Sequence, residues 1–314
     1  MNTSSNLVGH VLNEFVRDVA IRFVEDENPE IRKASALTCC QLFINDPIIY
    51  QTSSHAISVV GEVISKLLSV AVGDPEADIR RTILCSLDTK FDRHLAHPEN
   101  IRLLVFAINE VDYEVRQAAM IILGRLAGVN PAYVFPPLRK LLVNLMQGVK
   151  NSHDSTHEEE GARLISLCIA NASLIIKPYV KSLVKILLPK ATDENPTVAS
   201  TVMRALGDLA TVGGTDLLPY IPDLMPTIID ALQDLSSPQK RDSALRALGQ
   251  LASNSGYVIQ PYLDHPHLLD LLVNIIKTEQ QGSLRKETIK LMGIFGALDP
   301  YKHQARVFMD PFAV

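Results

Sequence analysis

Pro238 to Tyr262 reads PQKRDSALRALGQLASNSGYVIQPY. A basic pair follows a Ser-Pro turn, an apolar stripe ends in Leu-Gly-Gln-Leu-Ala, a short polar link follows, and Pro-Tyr opens the next segment. The same order of parts recurs. Residues 195–220 hold NPTVASTVMRALGDLA and then LLPY, residues 112–133 hold DYEVRQAAMIILGRLA and then NPAY, and residues 283–301 hold SLRKETIKLMGIFGAL and then DPY. Repetition at a steady spacing decides the architecture before any single motif does.

The glycine of Leu-Gly-x-Leu-Ala fixes a register at Gly124, Gly207, Gly249 and Gly293, and weaker copies place Cys40, Asp88 and Ser166 at the same point. Successive spacings are 48, 36, 42, 41, 42 and 44 residues. A second marker agrees: Tyr133, Tyr179, Tyr220, Tyr262 and Tyr301 are 46, 41, 42 and 39 apart. That is the period of HEAT and armadillo units. The spacing predicts an all-α, HEAT/armadillo-type α-solenoid of about seven two-helix repeats in a right-handed superhelix, with almost no strand and with residues 1–314 forming one array.

Each unit reads as two helices. Val180, Leu183, Val184, Leu187 and Leu188 make one face of a first helix, and Leu284, Thr288, Leu291, Met292 and Phe295 one face of a second. Asn28-Pro29, Asp74-Pro75, Asn195-Pro196 and Ser237-Pro238 are turn and N-cap chemistry ahead of second helices. Second helices are predicted near 29–44, 75–92, 112–128, 157–171, 196–212, 238–254 and 283–297. Their first helices fall near 8–24, 56–72, 99–110, 133–149, 178–190, 219–233 and 266–278, with the longest links at 45–55 and 150–156. Leu248, Leu251 and Ala252 are predicted to be inter-helix packing, and the marker glycines with Ala127, Ala210 and Ala297 to allow close approach of helices. Gly213-Gly214 reads as a helix stop. Pro300-Tyr301 would open an eighth unit, and the apolar tail RVFMDPFAV predicts an unpaired end that self-associates, since a terminal repeat normally carries a polar cap.

Composition narrows the function. Apolar residues make up 47% and charged residues 21%, enough to bury a core. The net charge of −5 argues against a general nucleic-acid binder. Cys39, Cys40, Cys85 and Cys168 form no C-x-x-C and fall in predicted helices, so they read as reduced core thiols. No basic, apolar leader and no membrane-length apolar run occurs, which points to a cytoplasmic protein without a direct membrane span.

Chemistry is sparse. A basic residue recurs where second helices begin: Arg32, Arg80, Arg116, Arg241 and Arg285, flanked by Lys33, Arg81, Lys240 and Lys286. Positive charge there opposes the helix dipole, so compensation is expected. One reading is a charge ladder with carboxylates such as Asp74, Asp78, Asp112 and Asp193; the other is a basic ridge for an acidic partner. His153 and His157 lie in a predicted loop and lack the HE-x-x-H order of a zinc site. His265-Pro-His267 reads as a turn, and Phe91-Asp92-Arg93-His94 is not in kinase catalytic-loop order. No phosphate-binding glycine loop and no nucleophile with its base is found. No catalytic residue, cofactor or metal is therefore assigned.

Residues 256–303, GYVIQPYLDHPHLLDLLVNIIKTEQQGSLRKETIKLMGIFGALDPYKH, are similar to the amino-terminal HEAT-repeat region of the target of rapamycin (TOR) protein kinases. Residues 31–43 (IRKASALTCCQLF), 65–100 (SKLLSVAVGDPEADIRRTILCSLDTKFDRHLAHPEN) and 124–142 (GRLAGVNPAYVFPPLRKLL) resemble it in the same order. The resemblance spans roughly 8–303, and 304–314 reads as a divergent tail. It implies a non-catalytic scaffold, because the family's FAT, rapamycin-binding and kinase domains lie far downstream. It implies growth and nutrient signalling, partners of the Raptor or Rictor adaptor type, self-association, and recruitment to lysosomal or other endomembranes through partners. The alternative is a free-standing HEAT adaptor of the transport-receptor or phosphatase-scaffold kind.

Overall fold

A computed structural model describes residues 15–45, 54–152 and 154–295. Among them there are helices and turns and no strand. Second helices are α1 (Pro29–Asn45), α3 (Ala77–Ser86), α5 (Tyr113–Leu126), α7 (Ser155–Asn171), α9 (Pro196–Gly213), α11 (Pro238–Ser255) and α13 (Gly282–Phe295). First helices are α2 (Ser54–Gly73), α4 (Pro98–Ala107), α6 (Pro131–Asn151), α8 (Val180–Leu187), α10 (Ile221–Gln233) and α12 (Leu268–Thr278). The predicted 8–24 helix is represented by helical residues 15–18 and a 3₁₀ segment, Ala20–Glu25. His153, Ala297, Pro300, Tyr301 and the apolar tail lie outside the described residues.

The helix starts follow from local chemistry. Proline occupies the first position of α1, α4, α6, α9 and α11, where its missing N–H costs no helical hydrogen bond. Side chains cap the free N–H groups: Asp112 accepts from Val115 N at 3.0 Å, Asn195 from Thr197 N at 3.0 Å, and Ser237 from Lys240 N at 3.3 Å. Gly214, at φ +51°, and Gly256, at φ +75°, end α9 and α11 in backbone that a Cβ disfavours.

Two expectations are corrected. The second helix predicted over 75–92 stops at Ser86. Leu87 leaves helical geometry and Asp88 caps a new 3₁₀ turn, Thr89–Phe91, through its own side chain. The 150–156 link is also mostly helix: α6 runs to Asn151 and α7 starts at Ser155, so His157 sits in a first helical turn.

The chain divides into two compact units, residues 1–141 and 142–314. In the first, α1 packs on α3, and α3 on α5, while α2 and α4 back them. In the second, α7 packs on α9, α9 on α11, and α11 on α13; α8, α10 and α12 each pack on the second helix that follows. Within each unit, the repeats that pack in this way bury their stripes against their own partner helix and against the next repeat. The stripes read from sequence are buried except at Leu188 and Met292, which are half-buried. Val180, Leu183, Val184 and Leu187 are buried, as are Leu284, Thr288, Leu291 and Phe295, with Thr288 donating its hydroxyl to Leu284 O at 2.8 Å. Three of the four cysteines are buried, and desolvation pushes the Cys39, Cys40 and Cys168 thiols up to about 12. Cys85 is exposed: Ile79, Ile83 and Leu84 take the inward face of α3, and Cys85 lies a further 100° round it.

His94 carries a pH-dependent contribution. Its ring is buried, and burial, then the neighbouring His97 and Arg93 charges, hold its pKa below the usual 6.5. The unfolded chain therefore takes up this proton first, and stability falls as pH drops below about 6.5. Denaturant titrations of the wild type and of His94→Leu should show a gap in unfolding free energy that narrows as pH falls through that region. A pH-independent gap would contradict this assignment.

Candidate interaction surface

The recurring arginines share one local position. Arg32, Arg80, Arg116, Arg241 and Arg285 are each the fourth residue of their helix. In Arg32, Arg80 and Arg116 the side chain reaches back past the helix start. Arg32 Nη1 donates to Asp26 O at 3.0 Å and Glu27 O at 3.1 Å, Arg80 Nη1 to Asp74 O at 2.6 Å and Pro75 O at 3.1 Å, and Arg116 Nη1 to Glu110 O at 2.9 Å and Val111 O at 2.7 Å. The guanidinium sits on loop carbonyls rather than on the positive end of the dipole, which removes the conflict.

The remaining donors cross to the next repeat. Arg32 meets Asp74 at 2.7 Å, Arg80 meets Glu110 at 3.3 Å, and Arg241 meets Glu279 at 2.7 Å. Each of these carboxylates stands three residues ahead of the following second helix. In α7 the fourth residue is Glu158, and the polarity reverses: buried Glu158 takes Lys190 at 2.5 Å. Outside these rungs, Lys33 and Arg81 share Asp78. Asp112 and Asp193, read from sequence as ladder carboxylates, accept backbone N–H groups instead, from Val115 and Asn195. Arg285 is exposed and forms no ion pair with a described residue.

These rungs differ in worth. Arg241 and Glu279 are each about 10% exposed at the side chain, so removing one leaves a largely dry charge unpaired. Arg241→Met is expected to cost about 2 kcal/mol, short of a fully buried pair because water still reaches both groups. Arg285→Met should stay within about 0.5 kcal/mol. Equal melting temperatures for the two variants would contradict the ranking.

The marker glycines occupy different environments. Gly124 is buried in α5. A Cβ on Gly207 would lie 2.7 Å from Ala247 Cα and 3.1 Å from its Cβ, so α9 and α11 touch there backbone to backbone. On Gly249 it would meet only Leu291 Cδ1 at 3.7 Å and Ile294 Cδ1 at 3.9 Å, and on Gly293 nothing within 4 Å. Leu248, Leu251 and Ala252 are buried in α11. Of the repeated tyrosines, Tyr262 packs edge-on against Phe295 at 5.3 Å, while Tyr133 is exposed.

One polar connection escaped the sequence reading. Ser166 donates to Asp208 Oδ2 at 2.5 Å, and Gln250 Nε2 donates to Asp208 Oδ1 at 3.0 Å. These residues are 42 apart in turn and tie α7, α9 and α11 together. The repeat period itself could have found them. Arg125, also missed, clamps the break after α3 through Leu87 O at 2.9 Å and Asp92 at 2.9 Å. Asp92 and His94 are thus framework residues in the first unit. His157 contacts Asp154, and no group of three metal-ligating side chains occurs among the described residues. No single helix among them is long and apolar enough to cross a membrane.

Stacked two-helix repeats tied by ionic rungs define a HEAT-type α-solenoid, and solved structures share that fold. Importin β superposes with a TM-score of 0.72 at 15% identity, covering 97% of this chain and 38% of that one. The karyopherin Kap121p gives 0.61 at 16% identity, covering 97% and 32%. Residues 140–271 match the family described as "IPO5-like, TPR repeats", and residues 258–309 match "Serine/threonine-protein kinase mTOR domain".

Sequence relatives are more particular. The chain is 48% identical to the serine/threonine-protein kinase TOR2 of Saccharomyces cerevisiae over 93% of its length, 38% identical to Drosophila melanogaster mTor over 93%, and 36% identical to Arabidopsis thaliana TOR over 95%. It is therefore homologous to one amino-terminal segment of the TOR kinases. It spans only 12–13% of the length of these relatives, and their kinase domain is not in these residues.

Proposed function

We propose that this solenoid is a non-catalytic scaffold segment of a TOR-type kinase, built as one continuous array, that holds protein partners during growth and nutrient signalling. One observation carries the reading. Importin β maintains the fold at 15% identity, whereas yeast TOR2 is 48% identical over the same stretch. Packing alone tolerates wide hydrophobic substitution. Identity at that level ties this stretch to the TOR kinases rather than to the fold in general, and a solenoid offers a long surface for partner contacts. The partners proposed are adaptors of the Raptor or Rictor type and a second copy of the TOR protein. The segment works in the cytoplasm and reaches endomembranes through those partners.

The test is direct binding of the purified 314-residue chain to each adaptor type, with sedimentation to read self-association. Saturable binding to either adaptor supports the proposal; no binding to both, with the chain folded and monomeric, overturns it. The importin β likeness favours a second reading, a free-standing adaptor of the transport-receptor or phosphatase-scaffold kind. Solved neighbours include Kap121p bound to Nup53p and to Pho4p. That reading gains if the chain captures transport cargo or a phosphatase and neither adaptor.

A further inference from the structure

A groove of about 320 Å³ opens across α9, α11 and α13. Its floor is apolar, formed by Leu245, Leu291 and Ile294 around Gly249, whose missing side chain keeps it open. Its rim is polar. Arg204 is exposed and forms no hydrogen bond or ion pair with a described residue. Arg246 and Lys290 reach only carboxylates of their own helices, Asp242 at 2.9 Å and Glu287 at 2.7 Å, and exposed same-helix pairs of this kind are weak and readily exchanged. Asp208, the acidic group from α9, already accepts from Ser166 and Gln250 through both oxygens. Glu287 reports the local field: its carboxyl is held below the usual range by the Lys290 hydrogen bond, with Arg246 and Lys286 adding to the effect. Three cations, Arg204, Arg246 and Lys290, thus rim the apolar floor beside the carboxylates Asp208 and Glu287, and Arg204 is the one with no ionic partner among the described residues.

We propose that this groove binds a short acidic segment of a partner protein, placing aliphatic side chains on the Gly249 floor and carboxylates against Arg204 and Lys290. The assignment rests on the scaffold reading above and gives it a location. Opposite charge fixes the register and speeds encounter, while burial of the aliphatic groups supplies affinity. The cavity lies at the small end of ligand pockets, which suits a short linear segment rather than a domain.

Random short peptides displayed on phage, selected on the wild-type 314-residue chain, supply the probe. Enriched peptides should combine Asp or Glu with Leu, Ile or Val, and should lose affinity as salt is raised. Two variants locate the site. Gly249→Leu fills the floor, and its Cβ makes only ordinary contacts; Arg204→Glu reverses the free cation. Each should weaken an enriched synthetic peptide by at least about tenfold with an unchanged melting temperature. A peptide in which Lys replaces the acidic residues should not bind. No enrichment, enrichment of basic peptides, or unaltered binding by both folded variants overturns the proposal. If adaptor binding by the wild-type chain survives such a result, the groove is wrong and the scaffold reading stands; if that binding is absent too, both fail.

Discussion

Leu248→Asp should lower the stability of the second unit by about 4 kcal/mol or more, the range reserved for an uncompensated charge in a packed core. Leu248 is 0% exposed, on the helix that packs against α9, α10 and α13 at once. An ionised carboxylate there has no donor in place, and the site cannot reach solvent without separating two repeats. Since each repeat is held by its neighbours, loss of α11 should spread to α9 and α13 rather than stay local. Leu235→Asp is the control: Leu235 is 80% exposed in the turn before α11, and a charge there should change little. Thermal melts followed by circular dichroism separate the two. An unchanged melting temperature for Leu248→Asp would mean that this stripe does not form the core.

Gly207→Leu should be the second most damaging change, and Gly293→Ala should be harmless or slightly stabilising. At Gly207 even a Cβ comes within 2.7 Å of the Ala247 backbone, and a full side chain must push α11 away from α9. Overpacking of this kind costs about 1–3 kcal/mol, and the cost rises when backbone rather than a side-chain tip has to yield. Losing the close approach would also pull Gln250 from Asp208. At Gly293 nothing lies within 4 Å, so alanine gains up to about 1 kcal/mol from the helix's lower backbone entropy cost. Two glycines at the same repeat position would then show opposite signs. Equal destabilisation by the two substitutions would show that the contact geometry of α9 and α11 is wrong.

That contrast shows what the sequence could and could not carry. Period, helix pairing and inward stripes were legible because every repeat must bury one helical face, and burial writes itself into the spacing of apolar residues. Starts such as Ser237-Pro238 were legible because capping is a local act. The role of each glycine was not, because it depends on how closely the next helix lies, which is set by side chains about 42 residues away, such as Ala247 and Gln250. The same holds for the rungs. The arginines were visible, but Glu110 and Glu279 belong to loops of the following repeat, and nothing local distinguishes them from Asp112, which caps α5, or Asp193, which accepts from Asn195 N. The break at Leu87-Asp88 was hidden for a similar reason, since Arg125 of the next repeat supports it. A surface for partners leaves the weakest trace, because no period or motif obliges it.

On the proposed function, this segment's surface, and not merely its length, assembles a TOR complex. The most direct measurement replaces these residues in a full-length TOR kinase with an equal run of importin β repeats, which keep the fold at 15% identity. Adaptor co-purification and kinase activity on a peptide substrate are then read together. The account predicts a kinase that still phosphorylates the peptide but no longer recovers its adaptor or its dimer. Full recovery of adaptor and dimer by the exchanged protein would contradict it.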